Sequence, residues 1–369
     1  MTITRRSFLA ATGIGAATLA VGCRPAQESV TAAAAHPVPI DTLPHERTWL
    51  AWPSDASIWG RWLQPVQRDI GRIATTVARF EPVTLCATDS AAAADARAEC
   101  GPGVTVLVSI PVDDCWMRDS GPVFRLDGRG GLDTIGLNFN GWGSNQTHDK
   151  DRSVAELVAR HAGVPFSAAG FVGEGGAIVA DGDGTVMATE SSLVNRERNP
   201  GMTKAQVEEA VLAAYGAKAM LWLPGVADRD ITDDHVDATS RFVQPGVVMV
   251  QRPPAVRTDV WAEDARAQFD ILSQATDAKG RRLRVIEVEG PDAVRSNDPG
   301  FVDSYVNYYA CNGGLIMPEF GDTAKDEAAR ATVARAFPGR MVVAPNYDAL
   351  ALGGGGVHCV TQQEPRASQ

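Results

Sequence analysis

Short apolar runs alternate along this chain with longer stretches in which apolar positions recur at helical spacing. The runs predict strands near 48–52, 83–87, 104–110, 134–139, 177–180, 185–189, 235–243, 247–251, 283–288, 315–318 and 341–344. The periodic stretches predict helices over 66–80, 152–162, 204–215, 259–273 and 325–336. Thr203 and Gln206 stand at capping-box spacing before the third of these, which sets Val207, Ala210, Val211 and Ala214 on one face. Helix-bearing units therefore recur every several tens of residues in an α/β chain. No repeat is readable in the residues themselves, so any internal symmetry is a matter of structure.

The beginning of the chain breaks this pattern. Thr4-Arg5-Arg6-Ser7-Phe8-Leu9 leads into a small-residue apolar run to Ala20, too short to span a bilayer and of signal-peptide length. The paired arginines resemble a twin-arginine export signal, which implies a folded protein carried across a bacterial inner membrane to the periplasm. Ala20-Val21-Gly22-Cys23 resembles a lipoprotein cleavage box with Ala20 where leucine is usual, leaving simple cleavage or a lipid anchor at Cys23. Residues 1–30 are thus expected to be an export signal and 31–39 a linker. A single domain is expected over 40–369, since no long linker follows.

Composition changes the picture little: 44% hydrophobic and 21% charged residues, with 36 Gly and 22 Pro, describe a globular chain rich in turns. The formal net charge of -11 argues against nucleic acid or an anionic membrane surface as partner and suits a cationic ligand. The six cysteines show no CxxC and no zinc-like spacing, which argues against a disulfide framework or a structural metal. A bridge between Cys86 and Cys100 stays open. No phosphate loop or dinucleotide fingerprint appears, and no metal or organic cofactor is expected. Asp181-Gly182-Asp183-Gly184-Thr185 lacks the glycine and closing glutamate of a calcium loop and reads as a hairpin turn.

The candidate chemistry lies in glycine-flanked segments. Gly353-Gly354-Gly355-Gly356-Val357-His358-Cys359 places a thiol after four glycines, which permit left-handed angles and close approach. A strand-like run there would send His358 and Cys359 to opposite faces. Cys359 is either a small buried hydrophobe beside a turn or a nucleophile whose acid/base partner lies elsewhere. Asp233-Asp234-His235-Val236-Asp237 reads as the start of a strand with His235 and Asp237 on one face. That pair is a structural couple, half a metal site or catalytic. Trp116 and Asp119, beside a Ser-Gly-Pro turn, offer a π face and a carboxylate for a planar cation. Glu174 sits among glycines at a strand start. One thiol, one imidazole and three carboxylates suit a guanidinium, whose N–H groups carboxylates grip in pairs while its carbon faces a nucleophile.

His45-Glu46-Arg47-Thr48-Trp49, Trp116 to Pro122, Phe139 to Gly143, Glu174-Gly175-Gly176, Asn195 to Pro200, Asp233 to Asp237, Ser304 to Asn307 and Gly353 to Gln363 follow one another in an order that resembles the agmatine deiminase family, close to bacterial peptidylarginine deiminases. The resemblance implies a five-bladed α/β propeller of pseudo-symmetric ββαβ units with its site on the central axis. It implies Cys359 as nucleophile, His235 as general acid/base, and Asp119 and Asp237 as the carboxylates holding the guanidinium. Glu174 would touch both His235 and substrate, and Trp116 would help bind it. The implied reaction turns agmatine and water into N-carbamoylputrescine and ammonia. The export signal keeps peptidylarginine or free arginine as alternative substrates, and a non-enzymatic exported binding protein would need neither Cys359 nor His235.

Overall fold

The computed structural model describes residues 36–367; the expected export signal, Cys23 and the first part of the expected linker lie outside them. The described chain forms five small sheets with one recurring plan. In each, an antiparallel pair is followed by a helix that returns the chain to a third strand, parallel to the second. Val123–Leu126, Leu132–Gly136 and Phe166–Ala168 make one such blade, and Ile178–Ala180, Thr185–Thr189 and Ala219–Leu223 the next. Ser240–Gln244, Val247–Arg252 and Arg284–Glu289 follow, then Tyr309–Cys311, Gly314–Ile316 and Met341–Val343.

The remaining blade joins the two ends of the fold. His45–Ala51 pairs in parallel with Val83–Cys86, which pairs with Thr105–Leu107, while the late strand Gln362–Pro365 lies antiparallel to His45–Ala51 with Trp49 opposite Gln362. The ring is thereby closed by hydrogen bonds between the first and last strands. This is the five-bladed α/β propeller that the family resemblance implied.

Local sequence explains most elements. Lys204–Tyr215 has its capping box, Thr203 Oγ1 accepting from the Gln206 N–H and the Gln206 side chain accepting from the Thr203 N–H. Leu63–Val77 buries Val66, Ile70, Ile73, Ala74 and Val77, which pack with Val83 and Leu85 of the sheet. Each large apolar side chain so buried contributes about 1.5–3 kcal/mol. Asp181 holds the turn between Ile178–Ala180 and Thr185–Thr189 by accepting from the Asp183 and Thr185 N–H groups. Strands Val123–Leu126, Phe166–Ala168, Ala219–Leu223 and Tyr309–Cys311 and helix Ser90–Cys100 escaped the pattern reading. Phe166–Ala168 is exposed throughout and the helix is mostly alanine, so neither shows an apolar stripe.

The structure overturns two backbone expectations and closes one open question. Residues 235–239 are not strand: Asp233 and Asp234 take left-handed angles (φ 57° and 69°), and a single 3-10 turn, Val236–Ala238, precedes the strand Ser240–Gln244. Cys359 lies in a turn rather than a strand-like run, and the strand begins only at Gln362. Cys86 and Cys100 are free buried thiols, so the bridge left open between them is absent. Among the described residues no helix is long and apolar enough to cross a membrane.

Candidate active site

The segments that enter the first strand of each blade supply the candidate residues. Asp119 precedes Val123–Leu126, Glu174 precedes Ile178–Ala180, His235 and Asp237 precede Ser240–Gln244, Asn307 precedes Tyr309–Cys311, and Cys359 precedes Gln362–Pro365. Equivalent positions of five blades meet on the ring axis, so residues far apart in sequence become neighbours.

The glycines serve this convergence by close approach more than by unusual angles. Of Gly353 to Gly356 only Gly354 has positive φ (90°). A β-carbon on Gly353 would enter the Trp59 ring, one on Gly355 the Trp116 ring, and one on Gly356 would stand 2.5 Å from Asn307 Oδ1. Gly176 is similar: an added β-carbon there would lie 2.7 Å from His235 Nδ1, 2.9 Å from Asp119 Oδ1 and 3.2 Å from Asp237 Oδ2. Both loops need glycine because functional side chains occupy the space a side chain would take.

Cys359 Sγ accepts a hydrogen bond from Asn307 Nδ2 at 3.2 Å and lies 3.8 Å from Asp237 Oδ2. His358 Nδ1 reaches the same Asp237 oxygen at 2.6 Å. Neighbouring side chains therefore converge on one carboxylate, which the turn permits and a strand would forbid. His358 Nε2 continues to Asp41 Oδ2 at 3.2 Å, and Asp41 is held by Arg241 at 2.5 Å and by Gln363 Nε2 at 2.8 Å. Asp237 Oδ1 is buried and has no hydrogen-bond partner among the described residues.

His235 lies on the opposite flank. Its Nε2 is 3.2 Å from Glu174 Oε2 and its Nδ1 3.8 Å from Asp119 Oδ1. Arg198 Nε donates to both Glu174 oxygens at 2.9 and 3.0 Å, and Arg198 Nη1 donates to Asp233 Oδ2 at 2.8 Å. Trp142 Nε1 and the Gly176 N–H both donate to Asp119, each at 3.0 Å. Glu174 meets His235 as expected. Trp116 uses its N–H on Asp114 Oδ2 at 2.9 Å and packs its ring on Gly355.

These contacts set opposed proton affinities. Burial by itself would lower the His235 pKa, but the Asp119 charge and the Glu174 hydrogen bond outweigh it and raise it to about 9. Asp119 is pushed up to about 6 by burial, the His235 charge opposing. Burial, with the Asp237 and Asp119 charges, holds the Cys359 thiol well above its usual value. Asp237 goes the other way, its burial outweighed by the His358 hydrogen bond and charge. At neutral pH these shifts leave His235 as an imidazolium, Cys359 as a thiol and Asp237 as a carboxylate.

Asn307, Arg198, Trp142, His358 and Asp41 are positioned within this network, and none was assigned a role in sequence. Asn307, Arg198 and Trp142 stand in matched segments, but their partners come from other blades. Two cavities of about 560 Å³ have walls that contain none of Cys359, His235, Glu174, Asp119 or Asp237, so cavity size does not locate the chemistry.

A ring of five ββαβ blades with a thiol, an imidazole and carboxylates gathered at its centre defines the guanidino-group-modifying class of α/β propellers. Within it, the chain belongs to the Porphyromonas-type peptidyl-arginine deiminase family, whose model matches residues 37–365. It is similar to the agmatine deiminase of Pseudomonas aeruginosa strain LESB58, 34% identical over 360 residues covering 89% of this chain and 95% of that protein. The agmatine deiminase of Stutzerimonas stutzeri strain A1501 is 35% identical with the same coverage of both chains. Among solved structures, the agmatine deiminase of Enterococcus faecalis superposes with a TM-score of 0.86 at 28% identity, over 94% of this chain and all of that one.

Proposed function

We propose that this chain is an agmatine deiminase, hydrolysing agmatine to N-carbamoylputrescine and ammonia through a covalent adduct on Cys359. The observation that carries the chemistry is the orphaned Asp237 Oδ1, a buried carboxylate oxygen without a donor beside a thiol. Leaving such an oxygen unmade costs about 1–3 kcal/mol or more, and a guanidinium N–H supplies what it lacks. The relatives named above support agmatine as the substrate.

In this reading Asp119 and Asp237 grip the guanidinium. Its positive charge offsets the two carboxylate charges that hold the thiol up, so Cys359 releases its proton to solvent and attacks the guanidinium carbon. Asn307 Nδ2 steadies the thiolate. His235, already protonated, donates to the departing nitrogen; the C–N bond breaks, ammonia leaves, and an amidino-thioether remains. Neutral His235 then takes a proton from water as its oxygen attacks the same carbon, and the C–S bond breaks to return the thiolate while the added hydroxyl loses its remaining proton to solvent, giving the ureido product. Cys359→Ser is expected to lose on the order of 10⁴-fold or more in kcat, with stoichiometric alkylation of Cys359 prevented by excess agmatine. Full activity of the serine variant would remove the covalent mechanism.

Export is the feature that favours a second reading, with peptidylarginine or free arginine as substrate. Arg5, Arg6 and the apolar run to Ala20 support delivery to the periplasm by twin-arginine translocation, with Cys23 available for a lipid anchor and the catalytic domain following from about residue 40. Replacing Arg5 and Arg6 by lysine is expected to retain folded, active enzyme in the cytoplasm. Comparing kcat/KM for agmatine, arginine and a peptide ending in arginine decides the substrate; a tenfold advantage for either arginine form, about 1.4 kcal/mol, overturns agmatine.

A further inference from the structure

A cavity of about 210 Å³ adjoins the Cys359 loop, walled by Ile58, Trp59, Trp62, Asp114, Trp116 and Gln146 and floored by Leu352 and Gly353. Its walls contain no lysine, arginine or histidine. Trp59 packs on Gly353 and Trp116 on Gly355, and a β-carbon added at Gly355 would lie 3.3 Å from the Cys359 β-carbon. The Trp116 ring thus borders both the cavity and the residue layer that holds the thiol.

Asp114 organises these walls. Its Oδ1 accepts from Trp59 Nε1 at 2.7 Å and from the Cys115 N–H at 2.8 Å; its Oδ2 accepts from Trp116 Nε1 at 2.9 Å and from Gln146 Nε2 at 2.8 Å. Both indoles are therefore pinned through their N–H groups to one carboxylate, with ring centroids 6.0 Å apart and planes 31° from parallel. All four donors are neutral, and among the described residues no cationic side chain pairs with Asp114, which is 1% exposed; the nearby Lys150 pairs with Asp113 instead. Burial pushes the Asp114 carboxyl upward, so a cation in the cavity would favour its ionised form. A buried carboxyl that no cationic side chain pairs, set between the N–H edges of two indoles, favours an ammonium over a carboxylate in the adjoining cavity.

We infer that Asp114, Trp59, Trp62, Trp116 and Gln146 form the subsite for the ammonium end of the substrate, and that Asp114 sets the preference for an amine-ended over an uncharged or carboxylate-ended guanidine. The inference rests on the deiminase reading and adds the residues that choose the tail. The four lone-pair sites of Asp114 are already used, so the attraction is electrostatic and cation–π in kind, without a new direct hydrogen bond.

The test compares kcat/KM for agmatine with that for n-butylguanidine, which keeps the guanidinium and the four-carbon chain but lacks the amine. The full-length enzyme is expected to favour agmatine at least tenfold, and Asp114→Asn to reduce that ratio at least tenfold. Because asparagine disturbs the indole hydrogen bonds, Trp62→Lys supplies an independent variant: it sets a cation at a position that is 38% exposed and should lower the same ratio without touching Asp114. Equal use of the two guanidines by the unaltered enzyme, or an unchanged ratio in a folded Trp62→Lys, overturns the subsite while leaving the deiminase reading intact. No ammonia from either compound overturns the deiminase reading itself.

Discussion

Two buried histidines, His235 and His358, each face two carboxylates, yet their proton affinities move in opposite directions. His235 meets Glu174 at 3.2 Å and Asp119 at 3.8 Å and is raised to about 9; His358 meets Asp237 at 2.6 Å and Asp41 at 3.2 Å and is lowered. The shorter contacts belong to the histidine that is harder to protonate. Burial comes first in lowering His358, and the guanidinium charges of Arg118 and Arg241 add to it. Around His235 the acting charges are the carboxylates of Asp119, Glu174 and Asp237, with Arg198 placed behind Glu174. A count of nearest carboxylates would rank the two alike; the difference lies further out, where Arg118 and Arg241 add to burial at His358 and a third carboxylate, Asp237, works against burial at His235. His235 is suited to donate a proton to a leaving group. His358, although it adjoins Cys359 in sequence, is suited to stay neutral and hold Asp237 in place.

The largest effect that probes this contrast is the loss of His235. His235→Ala is expected to lower kcat about 10²–10⁴-fold, as for removal of a general acid/base. Single-turnover assays of ammonia release measure it, and retention of full activity would hand the proton-transfer role to another group. Next is Arg198→Met, which leaves Glu174 and Asp233 buried without the guanidinium that bridges them. A loss of about 3–5 kcal/mol in stability is expected from denaturant unfolding. His358→Asn should be milder in its effect on activity: it removes a short hydrogen bond to a charged group, worth about 1.5–3 kcal/mol, and so costs roughly ten- to a hundredfold in kcat/KM.

The smallest and sharpest test is pH. Protonation of Asp119 below about 6 removes a charge that grips the guanidinium, and deprotonation of His235 above about 9 removes the proton the leaving nitrogen needs. The kcat/KM profile for agmatine should therefore fall on the acid side of that window, and kcat, read in the complex in which the substrate cation has ionised Cys359, on its alkaline side. Glu174 raises the His235 value by its hydrogen bond and charge, so Glu174→Gln should move the alkaline limb to lower pH. His358 is neutral there and His358→Asn should leave that limb where it is. Equal displacement by both variants would show that the two histidine networks are not electrically separate.

Much of the fold was legible in the chain because it follows from local rules. The capping box at Thr203 and Gln206, the Asp181 hairpin turn and the strand Thr185–Thr189 depend on neighbouring residues, and apolar spacing located one helix on each of the five sheets. The family motifs named Cys359, His235, Glu174, Asp119 and Asp237, which the structure brings to one centre. Alternation failed at 235–239 and at Cys359, where left-handed Asp233 and Asp234 and a turn after the glycines replace extended backbone. Periodicity has no signature for such turns, because their angles are fixed by contacts such as Arg198 to Asp233 that span the ring.

By itself, then, the sequence determined which segments pack and which residue types are available for guanidinium chemistry, since burial and capping act over a few residues. Only the tertiary structure decided that Asn307 faces the thiol, that Arg198 braces Glu174, and which histidine carries the proton. Those outcomes depend on distances between blades and on the sum of charges brought in from different parts of the chain, and neither quantity exists until the ring is closed by Gln362–Pro365 against His45–Ala51.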